Sequence, residues 1–274
     1  MRCTERAYAK INLTLDVGAK RADGYHEITS VMQRISLWDT VTVERGTGRD
    51  TLRCSVPVTE DVNDNLCMKA LRVFFAETAM ESGGVSITLE KHIPTQAGLG
   101  GGSSDAAEMI KGLNERFRLG LTDDDMRRRI ARFGADCAFF IDGKPAYAEG
   151  IGDVLTPADV SLKGKTLVLV KPPVAVSTRE AYSGVVPAQP EHDLRDALSR
   201  PIETWRETVS NDFERSVFRL HPTIEAIKNT LYDLGALYAS MSGSGSTVFG
   251  IFPHRMDGIE AAFKDCFVYQ ERFR

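Results

Sequence analysis

Polar and apolar residues alternate through RAYAKINLTLDV, with Ala7, Ala9, Ile11, Leu13, Leu15 and Val17 on one parity. Period-two alternation predicts a half-buried strand with those residues on its core face. RADGYHE follows, and Asp23-Gly24 is a turn signal. SVMQRISLWDTVTVER then reads as a further strand pair, and VSITLEKHI alternates again. KTLVLVKPPVAV is a continuous apolar run and predicts a buried strand ending in a turn. LYASMSGSGSTVFGIF predicts two strands joined by a Ser/Gly turn.

Between these stretches the period changes. DNLCMKALRVFFAETAMESGG opens on good capping residues, Asp64 and Asn65. Leu66, Ala70, Val73 and Phe74 then recur at helical spacing until Gly83-Gly84. Ala106, Ile110, Leu113 and Phe117 share one helical face that ends at Gly120. Thr122 with Asp125 three residues on predicts a capping box, and Gly134 ends that helix. Residues 176–234 read as mostly helical, with breaks around Pro187–Pro190 and at Pro201 and Pro222, and DGIEAAFKDCF reads as a closing helix. Paired strands and paired helices favour an α+β fold over a doubly wound parallel sheet. The polar TPADVSLKGK sets a soft boundary, giving domains 1–160 and 161–274.

The 274 residues suffice for one large domain or two of ordinary size, with a substantial core. A hydrophobic share of 42% and a charged share of 26% are those of a soluble globular protein. A net charge of −4 argues against nucleic acid or an anionic membrane as a partner. The opening MRCTERAYAKINLTLDV has no apolar leader-like core, and no apolar run reaches the ~20 residues that span a bilayer. Five scattered cysteines, without CxxC or zinc-ligand spacing, fit reduced thiols in a cytoplasmic protein.

PTQAGLGGGSSDAAEM concentrates four glycines directly before a helix. A plain helix-capping turn needs one glycine. A dinucleotide fingerprint needs a third glycine where Ser103 stands, and a P-loop needs a lysine that is missing. What remains is a phosphate cradle of another kind, built from backbone N–H groups and the positive end of the helix. Ser103 and Ser104 add hydroxyls that could donate to phosphate or touch magnesium in a nucleotide complex.

A polyphosphate site points to phosphoryl transfer, which needs charge neutralisation and a group that orients or deprotonates the acceptor. Lys10, in YAKINL, is either an ordinary solvated strand residue or a catalytic cation. Asp136, at the edge of the apolar CAFFI run, is either a turn residue after Gly134 or a working carboxylate. Paired, the two would suit the task. DGYH is either a hairpin with a half-buried tyrosine or a place where a flat base stacks. SGSGS, residues 242–246, is either a hairpin connection or a close approach to ligand.

PTQAGLGGGSSDAA closely resembles the phosphate loop of the GHMP small-molecule kinases, which include galactokinase, homoserine kinase and mevalonate kinase. FGADCAFF and SMSGSGSTVFGIF resemble later blocks of that family. AKINLTLDVGAKRADGYHEITSVM resembles the branch whose acceptor carries a nucleotide. The resemblance implies a two-domain fold, the first half like ribosomal protein S5 domain 2 and the second ferredoxin-like. It implies transfer from ATP, with Mg2+, to the 2-hydroxyl of 4-diphosphocytidyl-2-C-methyl-D-erythritol, a step toward isoprenoid precursors outside the mevalonate route. Lys10 and Asp136 would be the catalytic pair. Pro94, Thr95, Gln96, Ala97, Gly98, Leu99, Gly100, Gly101, Gly102, Ser103 and Ser104 would hold the ATP phosphates. Asn65 would lie on the adenine side besides capping its helix. Tyr25 and His26 would bind the cytidine end, with Asn12 near the reacting portion. Tyr182, in STREAY, stands where the family often has an aromatic that closes on cytosine, although STREAY departs from the usual proline- and threonine-rich stretch. Neither the magnesium ligands nor the oligomeric state follow from a motif. The alternatives are a GHMP enzyme for mevalonate, homoserine or a sugar, and a non-catalytic nucleotide-binding regulator.

Overall fold

The computed structural model describes residues 2–45, 48–78, 82–187 and 193–274. The chain begins with two long strands, β1 (Arg2–Lys20) and β2 (His26–Arg45). A tight turn at the expected place joins them. Gly24 N donates to the Arg21 carbonyl at 3.1 Å, and Asp23 accepts from Tyr25 N at 3.1 Å. Ala7, Ala9, Ile11, Leu13, Leu15 and Val17 are all buried as expected, but Lys10, Asn12 and Thr14 on the other parity are buried too, so β1 is covered on both faces over 9–15 rather than half-buried.

SVMQRISLWDTVTVER is one strand, not a pair. The polar residue that could have turned the chain, Asp39, is buried instead and accepts the backbone N–H groups of His92 and Ile93. β2 therefore runs straight on. It pairs with β4 (Val85–Glu90) near its C-terminal end and with β5 (Ala146–Glu149) at Ser30–Met32, both antiparallel. β3 (Thr51–Cys54) lies parallel on β4, and β6 (Val154–Pro157) pairs antiparallel with β5. These six strands form one sheet in the order β3-β4-β2-β5-β6, with β1 on β2.

By their internal contacts the residues form two compact units that interleave along the chain: 1–10, 34–95 and 100–144, and 11–33, 96–99 and 145–274. In the first unit α1 (Leu66–Thr78) and α2 (Gly101–Phe117) pack together, with Phe75 edge-on to Phe117 at 5.3 Å. α2 ends in a left-handed residue at Arg118, just before Gly120. The capping box is present: Thr122 and Asp125 exchange hydrogen bonds at the start of α3 (Asp123–Ile130). A short 3-10 turn carries that helix on to Gly134, and Ala135–Ile141 is a second 3-10 segment.

In the second unit β7 (Thr166–Lys171), β8 (Tyr238–Met241), β9 (Val248–Phe252) and β10 (Phe267–Arg272) form an antiparallel sheet in the order β10-β7-β9-β8. One strand inserted between β7 and β8 is the split arrangement of ferredoxin-like domains. Helices fill the stretch from β7 to β8: α4 (Thr178–Ser183), α5 (Leu194–Ser199), α6 (Trp205–Thr208), α7 (Phe213–Leu220) and α8 (Pro222–Asp233). Pro187 lies outside any helix, and Pro190 lies outside the described residues. Pro222 starts α8 rather than only breaking the run, as the first helical position tolerates a missing N–H. Val168, Val170, Phe213, Val217, Leu231 and Phe252 belong to the core of this unit.

DGIEAAFKDCF is not a helix. Only Ile259–Ala262 makes a 3-10 turn, and Asp265 at φ 60° reverses the chain into β10. Ile259 and Phe263 produce the helical spacing because both are buried, but the backbone between them does not continue as α-helix. β10 instead fills the edge of β7, pairing Phe267 with Lys171 through Arg272 with Thr166.

Candidate active site

Two sets of groups, one in each unit, hold the residues singled out from the sequence. In the first, Gly100 sits at φ 70° and caps α2 without any side-chain hydrogen bond. A glycine cap has no side chain to take up the N–H groups of the first helical turn. A Cβ on Gly100 would lie 2.7 Å from Phe140 and 3.2 Å from Lys10 Cε, so glycine is required for space as well as for backbone angle. Lys10 is only 3% exposed, and its Nζ is 3.0 Å from Asp136 Oδ2. Asp136 is 32% exposed and belongs to the first turn of the 3-10 segment whose buried residues Cys137–Ile141 anchor it. The solvated-lysine reading of Lys10 is thereby excluded, and the carboxylate keeps an open side.

Ser103 lies beside this pair's segment, since a Cβ on Gly134 would meet Cys137 Sγ at 3.3 Å and Ser103 Oγ at 3.7 Å. Burial pushes the Cys137 thiol up to about 12, so it stays protonated and is no nucleophile. Ser104 is fully buried and donates to the Tyr8 carbonyl at 2.7 Å, tying α2 to β1. Pro94 is half-buried and Thr95 exposed. Asn65 caps α1, its Oδ1 accepting from Cys67 N at 2.9 Å. The next residue is also close to the cradle, because a Cβ on Gly102 would touch Leu66 Cδ1 at 3.6 Å.

The sequence reading missed a buried cluster in this unit. Lys91 contacts both Asp39 and Asp105. Burial opposes the charge on Lys91, but Asp105 and Asp39 outweigh it and raise the ammonium's pKa. Burial raises the Asp105 carboxyl to about 7 against the pull of Lys91. Two acidic residues and a lysine lying 52 and 14 positions away from it carry no local motif, so only the fold brings them together.

In the second unit the other part of the glycine loop is locked. Gly98 is at φ 72°, and a Cβ there would fall 1.9 Å from the Ser242 carbonyl oxygen. Ser242 Oγ donates to the Gly98 carbonyl at 2.9 Å and accepts from Asn12 N at 3.2 Å. Thr247 N donates to the Ala97 carbonyl at 3.3 Å. Asn211 holds the serine-glycine turn by donating to the Met241 and Gly243 carbonyls at 2.7 and 2.8 Å. SGSGS is thus more than a hairpin connection: together with Thr247 it braces residues 97 and 98. Within this stretch Ala97 and Leu99 are buried and Gln96 is exposed. Asn12 is buried, and its Nδ2 donates to Ser30 Oγ at 2.7 Å.

Tyr25 is 62% exposed, not half-buried. His26 stacks on Tyr182 with centroids 5.5 Å apart, and Tyr182 in turn meets Phe213 edge-on at 4.7 Å. His26 Nδ1 is 3.1 Å from the Gly18 carbonyl. A carbonyl only accepts, so Nδ1 carries the proton and, in the neutral ring, Nε2 is left as an acceptor. DGYH and STREAY, far apart in sequence, therefore build one aromatic patch.

The sequence matches the family described as GHMP kinases N terminal domain over residues 65–144 and GHMP kinases C terminal over residues 194–268. A protein of Bacteroides fragilis named 4-diphosphocytidyl-2-C-methyl-D-erythritol kinase is 45% identical over 270 residues, 97% of this chain and 98% of its own length. This chain is a GHMP kinase. A Parabacteroides distasonis protein of the same name is 46% identical over 263 residues, 96% of either chain. A crystal structure of 4-(cytidine 5'-diphospho)-2C-methyl-D-erythritol kinase superposes with a TM-score of 0.79 at 30% identity, covering 98% of both chains. As a GHMP kinase the protein is an ATP-dependent phosphotransferase with an alcohol acceptor. No helix among the described residues is long and apolar enough to cross a membrane.

Proposed function

We propose that this GHMP kinase transfers the γ-phosphoryl group of ATP to the tertiary 2-hydroxyl of 4-diphosphocytidyl-2-C-methyl-D-erythritol, giving the 2-phosphate and ADP on the route to isopentenyl diphosphate. The observation that carries it is the 45% identity to kinases of that name over nearly the whole of both chains. The ion pair of the buried Lys10 with the partly open Asp136, beside Gly100, supports catalysis over a purely regulatory role. An exposed Tyr25 next to the His26–Tyr182 stack suits an acceptor that ends in a flat base, and argues against mevalonate, homoserine or a simple sugar.

In this reading the N–H groups at the start of α2 receive the phosphates. Lys10 pairs with Asp136 and offsets charge that develops on the transferring group. Asp136 accepts the hydroxyl proton as the new P–O bond forms and the bond to ADP breaks. Phosphoryl transfer demands little nucleophile activation, so positioning carries much of the rate. Ser242, Gly98 and Asn12 act by holding the loop and β1. Tyr25, His26 and Tyr182 bind cytosine, and Asn65 with its neighbour Leu66 lies on the adenine side. Magnesium, when bound with ATP, neutralises phosphate charge; it takes oxygen ligands, mostly phosphate and water. The partly open carboxylate of Asp136 and the hydroxyl of Ser103 fit that donor set, whereas Ser104 is buried against Tyr8. Among the described residues the one ready-made group of possible ligands is Cys3, Glu5 and Glu115, and burial and Glu5 raise the Cys3 thiol to about 11, which unsuits it for the ion. Five free cysteines fit a cytoplasmic enzyme.

Phosphorus NMR of the product tests the reading. Carbon 2 of the acceptor bears no hydrogen, so a 2-phosphate gives a monoester signal without three-bond proton coupling. A proton-coupled monoester signal would place the phosphate on a primary or secondary hydroxyl, and ATP consumption with no monoester would refute the transfer.

A further inference from the structure

The cluster Asp39, Lys91 and Asp105 is not used by the reaction as described above. All three side chains are almost completely buried, at 0%, 4% and 4% exposure. Asp39 Oδ1 accepts from Ile93 N at 2.8 Å and also from His92 N, at the point where the chain leaves β4 for the glycine loop. Its other oxygen lies against the beginning of α2, since a Cβ on Gly101 would be 3.6 Å from Asp39 Oδ2. Asp105 is the fifth residue of α2. Lys91 bridges the two carboxylates, and Asp105 Oδ1 has no hydrogen-bond partner.

A carboxylate packed on the first turn of a helix occupies the place an anion favours. With two acidic groups under the turn that should receive a polyphosphate, uncompensated charge would repel the ligand, and poor screening in the interior would enlarge the effect. Among the described residues, Lys91 is the cation paired with both carboxylates. We propose that Lys91 is the electrostatic footing of the phosphate cradle: it offsets one of the two carboxylate charges beneath the start of α2, so that ATP meets the helix N–H groups over a floor less negative by one charge. Lys91 is then a positioning residue for the nucleotide, acting through α2 without touching it. This rests on the reading that the start of α2 holds the ATP phosphates.

The alternative is a clamp that only fastens the strand end to the helix. Charge and clamp separate in a titration of ATP, ADP and AMP into the full chain and into Lys91→Met, Asp105→Asn and the double variant. The footing requires Lys91→Met to weaken ATP about tenfold or more, with a smaller loss for ADP and the smallest for AMP. It requires Asp105→Asn to bind ATP at least as tightly as the parent, and the double variant to recover most of the loss. A clamp gives the opposite pattern: Asp105→Asn weakens ATP as Lys91→Met does, the double variant is worse than either, and the loss is the same for all three nucleotides. If Lys91→Met does not fold, Asp105→Asn alone decides, since weaker ATP binding there overturns the proposal. Gly100→Ala keeps the two readings apart. If it binds ATP normally, the phosphate-loop reading falls and this inference with it. If it loses ATP while the charge series behaves as a clamp, only the inference falls.

Discussion

The two units hold their functional groups in opposite ways. In the first, Lys10 is 3% exposed, Asp136 is fixed by a buried 3-10 segment, and Gly100 is packed on Phe140. In the second, Tyr25 stands 62% exposed after a tight turn, and Tyr182 comes from the six-residue α4. Groups that stabilise a transition state must be in place before the reaction, because reorganisation would cost rate. Groups that recognise an acceptor can sit on turns and short helices. The difference teaches where damage should appear: in turnover for the first unit, in acceptor affinity for the second.

Asp136→Asn should break this division most visibly if it is wrong. The amide cannot take a proton, so kcat should fall about 10²- to 10⁴-fold while ATP binding changes little. Near-normal turnover would remove Asp136 from catalysis. Gly100→Ala comes next. A left-handed angle and a 2.7 Å approach to Phe140 should cost about 2–4 kcal/mol of stability, and ATP affinity should drop about tenfold or more. Thermal unfolding and nucleotide titration read both effects.

Tyr182→Ala should raise the acceptor KM about tenfold and leave the ATP KM unchanged, with Tyr182→Phe close to the parent because the ring does the stacking. An equal rise in both KM values would mean that Tyr182 supports the fold of its unit and not the acceptor. The smallest effect is expected at Asp16. Burial first, then the neighbouring Asp212, raises its pKa from 3.8 to about 6. The ionised carboxylate is therefore disfavoured in the fold, so stability is retained below pH 3.8 and lost as pH rises through 6. Asp16→Asn should stabilise the protein by about 1 kcal/mol above pH 6, after discounting for its partial exposure, and by almost nothing near pH 4. A gain that did not vary with pH would point to packing instead.

What could be read from the sequence follows the range of the interactions. The apolar parity of β1, the turn at Asp23-Gly24 and the Thr122–Asp125 box are local, and each is present, although the other parity of β1 is buried as well over 9–15. Lys10, Asp136 and the glycines were visible because their chemistry is unusual for their settings: a lysine in an alternating strand, a carboxylate beside CAFFI, flexible backbone before a helix. The short hairpin of β5 and β6 was not legible, since AYAE and VLTP offer only four residues each. β2 and β10 were misread because what decides them is distant. Asp39 is committed to the N–H groups of residues 92 and 93, and β10 is defined by pairing with β7. The bond from Ser242 to Gly98 spans 144 positions and has no sequence signature.

The most direct test of the account is kcat/KM with Mg·ATP for four acceptors in parallel: 4-diphosphocytidyl-2-C-methyl-D-erythritol, mevalonate, homoserine and galactose. The account requires turnover confined to the first. Turnover on any of the other three, or ATP binding with no turnover on all four, would contradict it.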